Sequence, residues 1–159
     1  VCAVVRTDPQ AYRLETFPTG EAARAAGAVP THAGGCGLCS SLADLAVYAG
    51  TADLTTPVRA CALMGVLGPA EDVFGCLETL GFTRPCAQIW AYNAAHTRER
   101  CLEVCFEHFD APFTDSTGAL NPCLACDEAE SGAVFAAVAG RTRRRSGLPS
   151  AICRPCAVA

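Results

Sequence analysis

Twelve cysteines in 159 residues constrain the fold of this chain more than any other feature. Their number is even, and an even set in a small domain indicates a disulfide framework. Disulfides persist in oxidising compartments, so the composition predicts a secreted or organelle-lumen protein. The chain begins at Val1 rather than at methionine, as we expect of a mature form after signal-peptide removal. The leading hypothesis is therefore a non-enzymatic structural or interaction protein without a cofactor.

Hydrophobic spacing and chain-breaking residues predict a mainly α fold, of α+β type with a small N-terminal β element. Short β-like stretches are expected at 1–5, 12–17 and 28–32, with a helical stretch over 21–28. Longer helices are expected at 37–50, 57–67, 69–81, 83–109 and 122–140, the last with an interruption near Gly132. We interpret residues 1–140 as one cysteine-rich domain and residues 141–159 as a basic C-terminal tail.

The Gly68-Pro69 pair breaks the helical pattern and predicts a helical hairpin. Cys61 precedes Gly68 by seven residues, and Cys76 follows Pro69 by seven. In an antiparallel hairpin these two positions lie side by side, so we expect a disulfide between Cys61 and Cys76.

A second pair of helices predicts two further disulfides. Cys101 and Cys105 lie one turn apart on one helix face, and Cys123 and Cys126 occupy a similar face of the next helix. Antiparallel packing of these helices pairs Cys105 with Cys123 and Cys101 with Cys126, which gives disulfide-stapled helical hairpins. The pairing of six cysteines stays open: Cys2, Cys36, Cys39, Cys86, Cys153 and Cys156.

One segment supports an alternative hypothesis, a thiol enzyme. Cys36-Gly-Leu-Cys39 follows a glycine-rich turn at the expected start of a helix, where the helix dipole stabilises a thiolate. His32 is placed to act as a base. The segment resembles the nucleophile region of papain-like cysteine proteases, which implies a bridged first cysteine and an attacking second one. The same spacing also suits a thiol–disulfide oxidoreductase.

A second alternative is a zinc or iron–sulfur protein with cysteine ligands. Besides the Cys36–Cys39 pair, Cys-x-x-Cys motifs occur at Cys123–Cys126 and Cys153–Cys156. Two such pairs brought together supply four thiolates to a metal. Because the composition fits disulfides better, we assign no metal ligands.

Charge is divided unevenly along the chain. Residues 141–159 carry +5, whereas residues 1–140 carry −9. Glu99, Glu103 and Glu107 form an acidic stripe at helical spacing, and the tail supplies cations for a protein partner or self-association. The interaction arginines proposed for the tail are Arg141, Arg143, Arg144 and Arg145.

Two other kinds of partner are disfavoured by the sequence. The net charge of −4 and the scarcity of aromatic residues near the arginines disfavour nucleic acid as a partner. No apolar run approaches the roughly 20 residues that span a bilayer. The last four residues, starting at Cys156, match a prenylation motif, but prenylation takes place in the cytosol and the twelve cysteines disfavour that location.

Overall fold

The computed structural model describes residues 1–152, apart from the side chain of Leu67. It is mainly helical with a small antiparallel sheet near the N-terminus, which confirms the predicted fold class. The elements run β1 (Cys2–Arg6), β2 (Tyr12–Thr16), α1 (Gly20–Ala25), β3 (Val29–His32), α2 (Leu42–Gly50), α3 (Thr55–Leu67), α4 (Ala70–Thr79), α5 (Arg84–Glu107), α6 (Pro122–Glu130), α7 (Gly132–Ala139) and α8 (Arg143–Ser146).

The sheet has the strand order β2-β1-β3, and both pairings are antiparallel. Cys2 in the central strand pairs with Thr16 on one side and with His32 on the other. Helix α1 packs on the sheet through small residues, since Ala3, Ala23 and Ala28 form a buried cluster. This packing fixes the end of β3, from which the chain enters the turn before α2.

Helix α2 begins at Leu42, later than the Gly37 start that the sequence predicted. Residues 37–40 instead form a turn against the end of α7, where Cys39 donates a backbone hydrogen bond to Ala139. The approach is so close that a Cβ at Gly37 would lie 2.4 Å from the Val138 carbonyl oxygen. Backbone pairing with α7 therefore takes the place of a first helical turn.

Both predicted hairpins form, and disulfides join them as the sequence predicted. Cys61–Cys76 links α3 to α4. Cys101–Cys126 and Cys105–Cys123 link α5 to α6. The Asn121 side chain caps α6 by accepting a hydrogen bond from Leu124, and the helical path breaks at Ser131 before α7. A double link of this kind fixes the relative position of α5 and α6 at two successive turns.

The main core lies between α2, α3, α4 and α5. Buried apolar side chains from these helices include Val47, Val58, Val73, Leu77 and Ile89. An aromatic chain continues across the core, with ring centroids 5.8 Å apart for Tyr48–Phe82, 5.8 Å for Phe82–Trp90 and 4.7 Å for Trp90–Phe135. It ends on α7, so Trp90 and Phe135 form the boundary between the core and the outer helices.

The part of the expected tail that the structure describes, residues 141–152, packs onto the fold and does not extend from it. Arg141 is fully buried, and the Arg143 side chain donates hydrogen bonds to the carbonyls of Tyr48, Thr51 and Pro149. A run of arginines is typical of a solvated tail, but here the guanidinium groups of Arg141 and Arg143 bind backbone carbonyls, several of them in α2 and the residues that flank it. Residues 153–159, with Cys153, Cys156 and the prenylation motif, lie outside the described residues.

Candidate functional site

The segment predicted as a thiol centre lies between β3 and α2, but both of its cysteines are in disulfides. Cys36 pairs with Cys2, and Cys39 pairs with Cys86 of α5. The cysteines are not paired with each other, as an oxidoreductase pair would be. Neither thiol is available as the nucleophile that the papain-like resemblance implied. The structure therefore offers the thiol-enzyme hypothesis no free thiol at Cys36 or Cys39.

His32 lies in this segment as a buried structural residue. Its Nε2 is 2.8 Å from Ser40 Oγ, which itself accepts a hydrogen bond from the Gly37 amide. With Nδ1 2.8 Å from the Ala33 carbonyl oxygen, the neutral ring donates from Nδ1 and accepts the Ser40 hydroxyl at Nε2. Burial lowers the pKa of His32 to about 4, so the ring is neutral at pH 7. Because Ser40 is fully buried, a substrate cannot reach this pair.

Arg141 is hydrogen-bonded to the same segment. Its Nε donates to the Cys39 carbonyl at 3.1 Å, and its two Nη atoms donate to the Thr31 and Ser40 carbonyls at 3.3 and 3.1 Å. The predicted interaction residue thus binds three carbonyls of its own chain. We conclude that the segment around His32 and Arg141 is a structural centre.

Disulfide formation also removes cysteines that the zinc or iron–sulfur hypothesis requires as ligands. The Cys36, Cys39, Cys123 and Cys126 sulfurs are all in disulfides, so two of the three Cys-x-x-Cys motifs supply no thiolate. Within residues 1–152 no cluster of three or more His, Cys, Asp or Glu side chains is placed to hold a metal ion. The third motif, Cys153–Cys156, lies beyond those residues.

The predicted acidic stripe and the tail arginines do not meet in the structure. Glu99, Glu103 and Glu107 are exposed on α5, and within residues 1–152 none of them has an arginine nitrogen within 4.0 Å. Arg144 instead lies 3.6 Å from Glu128, and Arg145 donates to the Ala136 carbonyl at 2.6 Å.

A large open cleft lies between α3, α5, α6 and α7, with a volume of about 980 Å³. Such a volume falls at the upper end of the roughly 300–1,000 Å³ that is usual for ligand sites. Its inner wall consists of apolar side chains that border the core: Leu54, Val58, Trp90, Leu124 and Phe135.

The outer wall of the cleft is also apolar, although it is exposed to solvent. Leu63 and Val66 come from α3, and Leu102, Phe106 and Phe109 come from the end of α5 and the residues after it. Each is at least half exposed, and Phe106 is 82% exposed. Grouped exposed apolar side chains are characteristic of interaction and ligand sites.

One group of polar side chains in the cleft wall is joined by hydrogen bonds. Asn93 donates a hydrogen bond of 2.9 Å to Asp127, and the Thr97 hydroxyl donates to the same carboxylate oxygen. The contact joins α5 to α6 at the cleft wall. Since the carboxylate has two hydrogen-bond donors, its position is set by the protein itself.

The cleft lining carries a charge opposite in sign to that of the whole chain. Five arginines and three carboxylates line it, a net of +2 in a chain of −4. The arginines are Arg59, Arg98, Arg143, Arg144 and Arg145. The carboxylates are Asp110, Asp127 and Glu128.

Sequence reasoning did not find the cleft, although a signal was present. Trp90, Ala94 and Thr97 recur at i, i+4 and i+7 in the long helix, and all three line the cleft. Leu102, Phe106 and Phe109 recur at i, i+4 and i+7, the spacing of an apolar helix face. Such a second face on one helix indicates a further apolar surface beyond the core.

The fold and cleft define a disulfide-rich, mainly helical protein of the kind found in oxidising compartments. Residues 70–159 match the model of a family of unknown function, DUF8771, and the chain belongs to this family. The match covers α4 to α8, which include one side of the cleft. Searches of curated proteins and of solved structures gave no significant match. Within residues 1–152 no helix is long and apolar enough to cross a membrane.

Proposed function

We propose that this protein is a non-enzymatic binding protein, secreted or lumenal, that takes up an apolar ligand in the cleft between α3, α5, α6 and α7. The observation that carries the proposal is an open volume of about 980 Å³ with exposed apolar side chains along its outer wall. Exposing such a surface costs free energy in water, so an apolar occupant that covers it is stabilised.

The disulfides support this proposal because they hold the cleft walls without filling the space between them. Cys101–Cys126 and Cys105–Cys123 fix α5 against α6, and Cys61–Cys76 holds α3 against α4. Cross-links stabilise a fold mainly by restricting the unfolded chain. Part of the stability that a filled core would supply therefore comes from covalent links, and the cleft can stay open.

The direct test measures binding of an uncharged fluorescent probe, N-phenyl-1-naphthylamine, to the wild-type chain and to two variants. Ala94 lines the cleft, whereas its neighbour Ala95 is exposed and does not. We expect Ala94→Phe to weaken probe binding about fivefold or more by filling the cleft, and Ala95→Phe to bind like the wild type. Far-UV circular dichroism shows whether both variants fold. Absence of probe binding, or equal binding by folded Ala94→Phe, contradicts the proposal.

The acidic stripe supports a second candidate function, the docking of a basic protein segment. Three glutamates and one arginine surround exposed Leu102 and Phe106 in a shallow depression: Glu99, Glu103, Glu107 and Arg100. We expect an oligoarginine peptide to bind with an affinity that falls as salt is added. The triple substitution of these glutamates by glutamine should abolish binding, while Glu21→Gln on α1 should not. Self-association through the tail has less support, because Arg141, Arg143 and Arg145 bind carbonyls within the chain.

A further inference from the structure

We propose that the ligand of the cleft is a long-chain carboxylate, with its carboxylate group on Arg59 and its alkyl chain along the apolar walls. This inference rests on the proposed function of the cleft as a binding site and adds the chemical class of the ligand. It is carried by the charge of the lining, the state of Arg59 and the apolar character of the volume beside it.

The charge of the lining selects an anion. Of the three carboxylates, Asp127 accepts hydrogen bonds from Asn93 and Thr97, and Glu128 pairs with Arg144. Asp110 has no arginine nitrogen within 4.0 Å in the part of the chain that the structure describes. The net of +2 therefore remains as attraction for a negatively charged group.

Arg59 is placed to bind that group, because it lines the cleft and lies beside two aromatic rings. Its guanidinium lies 5.8 Å from the ring centroid of Phe109 and 5.6 Å from that of Phe113. It donates to the Phe109 carbonyl at 3.3 Å and to Cys123 Sγ at 3.8 Å, both weak contacts. In residues 1–152 no carboxylate lies within 4.0 Å of it. The cation is thus held in place with hydrogen-bond donors still to be used.

The volume beside Arg59 fits an alkyl chain. From Arg59 the same cleft continues along Val58, Trp90, Leu102 and Phe106. A fully polar anion such as phosphate would leave this apolar surface exposed, whereas an uncharged hydrocarbon would leave the Arg59 charge unpaired. Only an amphiphile with an anionic head matches both features.

The test compares three ligands with the same 12-carbon chain: dodecanoate, 1-dodecanol and dodecyltrimethylammonium. Trp90 is the only tryptophan of the chain and lines the cleft, so its fluorescence reports occupancy in the intact protein. We expect dodecanoate to bind about tenfold more tightly than dodecanol, because a charge-assisted hydrogen bond forms only with the carboxylate. The cationic ligand should bind most weakly, and acetate should not bind.

Three variants assign the preference to Arg59. Arg59→Gln should bring the dodecanoate affinity to within about twofold of that for dodecanol, and Arg59→Lys should keep most of the difference. Arg100→Gln is the matched control, since Arg100 is exposed, pairs with Glu130 and does not line the cleft. Equal affinity of the wild type for dodecanoate and dodecanol overturns the inference. A preference that persists in folded Arg59→Gln overturns it as well.

Failure of this inference can be told apart from failure of the proposed function. If dodecanol or the uncharged naphthylamine probe binds wild type but not Ala94→Phe, while dodecanoate binds no more tightly than dodecanol, the cleft is a binding site and only the carboxylate assignment is wrong. If neither those ligands nor dodecanoate binds, both the inference and the proposed function are wrong.

Discussion

The two sides of this molecule differ in which kinds of side chain they bury and which they expose. On the sheet side, which comprises β1 to β3, the turn at 33–41 and α2, charged and polar side chains are buried. His32, Ser40, Asp44 and Arg141 lie there at 5% exposure or less, and each has hydrogen-bond partners. On the cleft side, formed by α3, α5, α6 and α7, large apolar side chains are exposed instead.

This difference suggests separate roles, with the sheet side important for stability and the cleft side for binding. Buried hydrogen bonds on the sheet side require fixed geometry, since an unpaired buried polar group is costly. Asp44, for example, accepts bonds from Ser41 and from the Thr83 amide, and so joins the start of α2 to the start of α5. The cleft side relies on disulfides that leave its surface free. We therefore expect substitutions on the sheet side to affect stability, and those in the cleft to affect binding.

The largest expected effect comes from the disulfide that joins the two sides. Cys39–Cys86 closes a separation of 47 residues, so its replacement by alanines should cost about 4 kcal/mol in the chain-entropy treatment. Replacing Cys101–Cys126 should cost less, between about 2 and 3 kcal/mol, because Cys105–Cys123 still closes most of that loop. Urea unfolding of both double variants measures the difference. A larger loss of unfolding free energy on replacing Cys101–Cys126 than on replacing Cys39–Cys86 would contradict this difference between the two disulfides.

Arg141 provides the next largest effect. Arg141→Met removes a guanidinium that binds three carbonyls, and we expect the free energy of unfolding to fall by about 3 to 4 kcal/mol. Arg144→Met is the matched control in the same segment, since Arg144 is exposed and should change stability by about 0.5 kcal/mol or less. Urea denaturation with an unchanged m-value is the measurement. Equal losses for the two variants would show that the segment is a tail after all.

His32 predicts a pH dependence of stability on the sheet side. Its pKa is lowered from 6.5 to about 4 in the folded protein, so between these values the unfolded chain binds the proton and the folded chain does not. The free energy of unfolding is therefore highest above pH 6.5, and it falls as the pH decreases from 6.5 toward 4. The loss should reach about 3 kcal/mol.

The measurement for His32 is urea unfolding at pH 7, 5.5 and 4, with His32→Gln as reference. The variant should be less stable at pH 7 and should lose less stability between pH 7 and 4. Asp53 and Asp115, whose pKa values are lowered from 3.8, contribute equally in both proteins, so the difference between the two pH profiles belongs to His32. The same pH slope in both proteins would exclude a buried neutral His32.

Local signals made much of the cleft-side framework predictable. Gly68-Pro69 and Asn121-Pro122 mark helix boundaries by their backbone preferences, and helical spacing sets which cysteines can meet across a hairpin. The pairs Cys61–Cys76, Cys101–Cys126 and Cys105–Cys123 join neighbouring helices, so short-range geometry was enough to propose them.

Features that depend on distant contacts could not be predicted in this way. Cys39–Cys86 and the bonds from Arg141 to residues 31–40 join segments whose approach only the complete fold defines. The arginine run at 143–145 has the pattern of a solvated tail, and nothing local shows that Arg143 binds a carbonyl of α2 or that Arg145 binds a carbonyl of α7. The cleft lies between four helices, and its size depends on their spacing in the complete fold, which no local sequence pattern specifies.

The smallest effect on stability is expected where the effect on binding is large. Phe106 is 82% exposed in the cleft wall, and Val29 is 61% exposed on the sheet side. Phe106→Ser and Val29→Thr should each change the free energy of unfolding by about 0.5 kcal/mol or less, since neither side chain is packed in the core. Phe106→Ser should nevertheless weaken binding of N-phenyl-1-naphthylamine severalfold, while Val29→Thr leaves it unchanged, because only the former removes apolar surface that the ligand would cover. Should the two variants bind the probe alike, exposed apolar residues would have the same meaning on both sides, and the division between a structural side and a binding side would fail.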